Sequence, residues 1–357
     1  MSEIAVHSAR QIIFGSGVRA QLGRHAALLG SRALIACGRN ALQASGALDE
    51  LAASLSGAGV EVSVFARVKA EPSLDTVEAG RAAFRDADCD VVVAAGGGSA
   101  LDVGKAIAAL APHPEPVAHF FAGAEITGRG APCIALPTTS GTGAEVTRNA
   151  VLLVREHRVK VSMRSPFLLP EVALVDPLRT HSMAPDVTAA TGLDALTQLI
   201  EAFVTKKANP LTDGICREGL RCAARSLRRA FEDGDDATAR QDMALAALFS
   251  GLALANAGLG AVHGFAGPLG GMIGTPHGVV CGKLLPHVMA TNVKALQDRA
   301  PGSPVLARFD EIARIATGNR SARASDGVAW VKDLCGALAL PGPVSYTHLT
   351  LPTKRIV

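Results

Sequence analysis

Up to about residue 178 the chain alternates short apolar, β-rich runs with helical patterns, and several of those runs are continuous, without polar alternation. Ala33-Leu-Ile-Ala-Cys, Val91-Val-Val-Ala-Ala and Cys133-Ile-Ala-Leu-Pro offer neither pleat face to water, so both faces must be covered. Strands of that kind belong in a parallel sheet with right-handed helical crossovers on both sides. The expected strands are Ala33–Cys37, Val60–Ala66, Val91–Ala95, Cys133–Pro137, Val151–Val154 and Val172–Asp176. Helices such as Asp75–Asp86 and Ala100–Leu110 lie between them. Beyond about residue 180 the strand signals vanish. Val187–Thr205, Pro210–Glu232 and Ala237–Leu259 read as helices, with Thr, Asn-Pro and Asp/Gly punctuation between them. The expected fold is an α/β N-terminal domain with a mostly parallel sheet (1–178), followed by an all-α C-terminal domain (179–344). The cleft between them is the default ligand site.

Composition narrows the function classes. With 357 residues, 48% hydrophobic and 19% charged, the chain can build a large core and is not disordered. Lys+Arg exceed Asp+Glu only as 35 to 32, and aromatics are 4%, so nucleic acid is not an expected partner. The seven cysteines are odd in number and contain no C-x-x-C pair, which fits reduced, buried thiols and a cytoplasmic location. The N-terminus MSEIAVHSAR has no basic-then-apolar pattern, so no signal peptide is expected. Met243 to Gly282 contains no Asp, Glu, Lys or Arg, but it is rich in Ala and Gly and broken by Asn256, His263, Pro268, Pro276 and His277. It is read as buried helix plus a Gly/Pro-rich functional loop, not as a membrane span. The last segment, SYTHLTLPTKRIV (345–357), holds the chain's single Tyr and matches nothing before it; it is read as a non-native tail.

Two strand exits suit a nucleotide. In Val91-Val-Val-Ala-Ala-Gly-Gly-Gly-Ser99 the glycines Gly96, Gly97 and Gly98 admit close approach of a ligand, and Ser99 is a good N-cap. A helix starting there aims N–H groups and its dipole at an anion such as a pyrophosphate. The alternative is an ordinary tight turn, with Asp102 complementing the helix start. Pro137-Thr-Thr-Ser-Gly-Thr-Gly-Ala-Glu145, which includes Thr138 and Thr139, offers several small donors at the next strand exit, where open α/β sheets bind ligands.

A second constellation suits a divalent metal. Asp194 and Gln198, four residues apart, share one face of a largely apolar helix. His263 and His277 sit among glycines and prolines in the stretch stripped of charge. One carboxylate with two neutral imidazoles is a ligand set for Fe(II) or Zn(II), whereas a lone histidine is more often a satisfied core residue.

Together these motifs (GGGSALDVGKA, PTTSGTGAEVT, VALVDP, TGLDALTQLIEAFV, ANPLTDGICREGL and GLGAVHGFAGPLGGMIGTPHG) resemble the iron-containing (group III) alcohol dehydrogenase family from about residue 10 to about 340. The resemblance implies an N-terminal dinucleotide-binding domain before a helical metal-bearing domain, an architecture shared with dehydroquinate synthase, usually as a homodimer or larger. It implies NADP or NAD as cofactor, Fe2+ or Zn2+ as metal, and a small alcohol or aldehyde as substrate. By resemblance, Asp194, His263 and His277 are metal ligands and the catalytic set. The fourth metal ligand, normally His, is Gln198, which can coordinate through its amide oxygen more weakly and without charge, and a further His common near the nicotinamide is Gly267. Cofactor contacts carry over to Gly97, Gly98, Ser99, Asp102, Thr138, Thr139 and Lys160. At the end of the first expected strand, where NAD-preferring members carry Asp, stands Gly38, followed by Arg39; loss of the acid and gain of a cation should admit a 2′-phosphate. The Gln leaves two alternatives open, a metal-independent enzyme like maleylacetate reductases and a catalytically degenerate scaffold. A synthase-type reaction without net redox change is the remaining rival. His181 and His287 are read as surface or structural.

Overall fold

The computed structural model describes residues 4–154, 159–273 and 275–340; the segment 345–357 lies outside them. Eight strands are described: β1 (Gln11–Phe14), β2 (Arg32–Gly38), β3 (Glu61–Val68), β4 (Val91–Gly96), β5 (Cys133–Pro137), β6 (Asn149–Val154), β7 (Val159–Arg164) and β8 (Val172–Val175). Six form one sheet in the order β1-β8-β5-β4-β2-β3, with every pair parallel. Helices α1 (Leu22–Ala27), α2 (Ala41–Ala44), α3 (Ala47–Gly57), α4 (Leu74–Asp86), α5 (Gly98–Leu110) and α6 (Val117–Phe121) accompany it.

The continuous apolar runs have their physical reason in this layering. Along β2, Ala33, Ile35 and Cys37 belong to one core with Leu22 of α1 and Leu51 and Leu55 of α3. The intervening Leu34 and Ala36 belong to another core with Val77 of α4 and Val103 and Ile107 of α5. All six residues of β4 are buried, so each face contributes stabilisation of about 1.5–3 kcal/mol per large side chain.

The helical half comprises α7 (Pro185–Val204), α8 (Pro210–Glu232), α9 (Ala237–Ala257), α10 (Ala261–Ile273), α11 (His277–Arg299), α12 (Pro304–Thr317) and α13 (Ala324–Ala337). Its core is a single large cluster that includes Leu193, Leu196, Phe203, Leu227, Met243 and Leu285. A small fourth cluster forms the seam with the sheet: Val146, Ala173 and Val175 meet Ala244 and Leu248 of α9. At that seam Gly143, at φ +60°, lies against Gly251; a Cβ on Gly251 would sit 2.3 Å from the Gly143 carbonyl oxygen.

Three sequence expectations are corrected. Val151–Val154 is a strand, but as β6 it pairs antiparallel with β7 outside the main sheet. Its burial alternates, with Ala150 and Leu152 inside and Val151 and Leu153 half-covered, as suits a hairpin covered on one side. The sheet's sixth strand is instead the short edge strand β1, paired with β8. The third correction concerns the stretch read as a Gly/Pro-rich loop, which is largely the helix α10 with Pro268 inside it. A buried carboxylate replaces the missing local start signal: Glu201 of α7 accepts the N–H groups of Val262 at 2.7 Å and His263 at 3.4 Å. The uncharged run folds back on itself, with α9 and α10 bent by 103°, and no single described helix is long and apolar enough to cross a membrane.

Candidate active site

A cavity of about 1360 Å³ opens between the two halves and collects residues from both. Its sheet side carries Gly38, Gly97, Gly98, Ser99, Asp102, Thr138, Thr139 and Lys160; its helical side carries Asp194, Gln198, His263 and His277. The sequence-derived site residues therefore converge on one cleft. His181 and His287 do not line it.

On the sheet side, β4 ends at Gly96 with φ +142°, and α5 begins two residues later. The helix cap is Gly97, not Ser99 as expected. Gly97 is extended, and its carbonyl accepts the N–H groups of Ala100 at 2.9 Å and Leu101 at 3.1 Å. The turn out of the strand is made at Gly96, whose φ is positive, so the cap falls on the next residue; Ser99 falls in the first helical turn. First-turn N–H groups lack intrahelical acceptors, so those of Gly98 and Ser99 are available at the cleft. A Cβ on Gly98 would sit 2.8 Å from Thr142 Cγ2, so a larger residue there would have to displace the Thr142 side chain. Such a cradle fits an anionic pyrophosphate.

Two residues at the rim have more structural work than the sequence implied, and a third has less. Asp102 pairs with Lys105 Nζ at 2.9 Å and accepts the Val151 N–H at 3.0 Å, tying the β6–β7 hairpin to α5. Lys160 lies 2.5 Å from Glu71 Oε2. Gly38 leaves open room: the nearest atom to a Cβ there would be Val68 O at 3.8 Å, and the adjacent Arg39 is exposed.

On the helical side, α7 presents Asp194, Gln198 and Glu201 at i, i+4 and i+7, one stripe of a buried helix. Asp194 Oδ1 stands 3.3 Å from His263 Nε2 and 3.6 Å from His277 Nε2. His263 Nδ1 is 2.7 Å from Glu201 Oε2, an arrangement that fixes the ring and directs Nε2 at the cluster. The His277 end is set by close helix packing: a Cβ on Gly278 would lie 2.0 Å from the Ala190 carbonyl, so α11 starts hard against α7. One turn into α11, Cys281 Sγ reaches within 3.6 Å of His277 Nε2 and 3.8 Å of His263 Nε2. Asp194, His263, His277 and Cys281 form a group whose candidate ligand atoms all lie within 4.8 Å of one another.

Electrostatics follow from the crowding. Burial raises the Asp194 carboxyl, but the two imidazoles and the Gln198 amide outweigh it and hold the acid below its usual range. Burial pulls His263 down, yet Cys281, Asp194 and Glu201 together lift it well above ordinary histidine. His277, with less compensation, is lowered by burial, and burial pushes the Cys281 thiol up to about 11. A buried ionised acid ringed by two imidazoles and a thiol is a donor set that fits a divalent cation of intermediate softness.

Sequence reading missed two participants. Glu201 lies inside a motif already singled out and continues the Asp194/Gln198 stripe by one turn. Cys281 follows His277 by four residues, a helical His-x-x-x-Cys pair. Both spacings are visible in the sequence; neither carries chemistry until the helices are packed.

Residues 9–177 match the family described as iron-containing alcohol dehydrogenase, and residues 188–345 match the Fe-containing alcohol dehydrogenase family, C-terminal part. The chain is 41% identical over 285 residues to the 1,3-propanediol dehydrogenase of Klebsiella pneumoniae, covering 79% of this chain and 73% of that one. Among solved structures, a 1,3-propanediol oxidoreductase superimposes with TM-score 0.88 at 36% identity, over 95% of this chain and 88% of the other. Sulfoacetaldehyde reductase from Bifidobacterium kashiwanohense, solved in complex with NAD+, gives TM-score 0.85 at 30% identity, over 96% and 87%.

Proposed function

The chain belongs to the iron-containing alcohol dehydrogenase family, and from that premise we propose that Asp194, His263 and His277 hold the divalent cation of an NAD(P)-dependent alcohol dehydrogenase. The carrying observation is the convergence of these three side chains in the cleft whose opposite wall is the Gly97–Ser99 corner. The reaction is reversible hydride transfer between a small alcohol and the nicotinamide. A cation in this site supplies Lewis acidity, which eases loss of the hydroxyl proton in oxidation and polarises the carbonyl in reduction. The dinucleotide supplies the hydride acceptor or donor.

The chain's own residues bind and orient. The first-turn N–H groups of α5, with Gly97 and Gly98, take the pyrophosphate. Thr138 and Thr139 provide hydroxyl contacts, with Asp102 and Lys160 at the rim. Glu201 holds the His263 ring in place, and Gln198 stands beside Asp194. The division of labour is a dinucleotide-binding half (1–178) and a metal-bearing half (179–344). A cytoplasmic location accords with seven free cysteines, and the family resemblance favours a homodimer or larger assembly.

The open space at Gly38 and the exposed cation at Arg39 favour NADP alongside NAD. Oxidation of 1,3-propanediol, followed by formation of the reduced nicotinamide, tests both readings. Chelator-stripped protein is expected to be inactive and to regain turnover with Zn2+ or Fe2+, and kcat/KM with NADP to equal or exceed that with NAD. Full activity in rigorously metal-free protein overturns the metal assignment. A strong NAD preference overturns the Gly38 reading.

A further inference from the structure

We propose that the cation's fourth protein donor is the Cys281 sulfur, giving an Asp194–His263–His277–Cys281 set, and that Gln198 orients Asp194 without ligating. This rests on the metal-centre reading above and goes beyond it by naming a ligand outside the expected set.

Geometry carries it. Bonds of about 2.0–2.1 Å to nitrogen or oxygen and about 2.3 Å to sulfur make the edges of a tetrahedron roughly 3.3–3.6 Å. The corresponding separations are 3.3 Å for Asp194–His263, 3.6 Å for Asp194–His277, 3.6 Å for Cys281–His277 and 3.8 Å for Cys281–His263. Cys281 is fully buried and points at the two ring nitrogens, one turn after His277 on the same helix.

Gln198 is engaged differently. Its Nε2 donates to Asp194 Oδ2 at 3.2 Å, while its Oε1 accepts from Ser250 Oγ at 3.2 Å. An amide ligates through oxygen, and here the oxygen lies on the side away from the carboxylate, against Ser250. Turning the amide over would set its oxygen against Asp194 Oδ2, acceptor against acceptor. Asp194 thus divides its two oxygens, Oδ1 toward the imidazoles and Oδ2 held by Gln198. On metal binding the Cys281 thiol releases its proton to solvent and the thiolate forms one bond to the cation; nothing is oxidised or reduced.

The test is Co2+ reconstitution of the chelator-stripped full chain, with cobalt stoichiometry measured independently. The expected spectrum has a near-ultraviolet thiolate-to-cobalt charge-transfer band. Cys281→Ser is expected to abolish that band, whereas Gln198→Ala keeps it with affinity lowered roughly 10–100-fold, as for a residue that orients a ligand. X-ray absorption of the zinc-loaded wild-type protein needs no variant: one sulfur scatterer at about 2.3 Å per zinc is expected. Stoichiometric metal with only nitrogen and oxygen scatterers overturns the thiolate assignment and leaves the metal-dependent dehydrogenase reading standing. A band that survives in Cys281→Ser also overturns it. Failure of the wild-type chain to take up either metal overturns both.

Discussion

Glu145 is buried in the loop between β5 and β6, and desolvation lifts its carboxyl to about 7 from an ordinary 4.5; the nearby Lys105 ammonium opposes the shift only in part. An acid whose folded value is raised binds its proton more readily in the folded chain than in the unfolded one. Its contribution is therefore fully present below about 4.5 and lost as pH rises through about 7. The difference between those values corresponds to about 3 kcal/mol. Glu145→Gln is expected to match the parent in acid and to exceed it by about that amount above neutrality, measured by denaturant unfolding across the window; equal pH slopes refute this. At this scale the sequence was partly legible. Asp194, His263 and His277 stand out because charge is otherwise missing around them or because they interrupt an apolar helix. Glu201 and Cys281 do not stand out: a glutamate late in a helix and a cysteine among apolar residues have ordinary explanations. Their roles depend on helix packing that brings residues 62 and 18 positions away into contact.

Among the elements, the start of α11 fixes the site most tightly. Gly278 packs against the backbone of α7 at Ala190, with no space for a methyl group, and it adjoins His277. Gly278→Ala is expected to cost about 1–3 kcal/mol through overpacking and to lower metal content, because the displaced turn carries His277 and Cys281 with it. Gly214→Ala is the control: a Cβ there, within α8, meets nothing within 4 Å, and helix propensity alone favours it by about 0.5–1 kcal/mol. Thermal unfolding and elemental analysis of the two variants separate the cases, and wild-type metal content in Gly278→Ala contradicts the account. Element type was readable where burial was uniform, as in β4 and α5, whose composition admits one environment. It was misread at α10, since glycine and proline are weak helix formers and the compensating start signal, Glu201, comes from another helix. It was incomplete at β1, where four residues at a sheet edge carry too little pattern.

Across the whole molecule the two halves have independent cores, and the cleft's shape depends on a far smaller seam. That seam includes the cluster around Val146, Val175, Ala244 and Leu248, the Gly143–Gly251 contact, Gly141 packed against Thr191 of α7, and a clamp in which Asn256 on α9 exchanges two hydrogen bonds with the His7 backbone, at 2.6 and 2.9 Å. The two-part architecture was legible from the disappearance of strand signals near residue 178, but the seam was not, because its residues are small apolar side chains no different from those of the cores. Leu248, 4% exposed, is the largest buried side chain in it, and its removal should cost about 2–5 kcal/mol. The expected consequence is loss of cooperativity between halves whose cores are untouched. The single Trp, Trp330, packs on the helical core and reports that half alone, whereas far-ultraviolet circular dichroism reports both. In the wild-type chain the two probes are expected to give coincident denaturant transitions; in Leu248→Ala they should separate, and kcat with an alcohol should fall before either half unfolds, since the residues proposed for the nucleotide and for the metal lie on opposite walls of the cleft. Leu227→Ala, inside the helical core and with the seam intact, should instead move both transitions together to lower denaturant. Coincident transitions in Leu248→Ala would mean that the halves are joined by more than this seam.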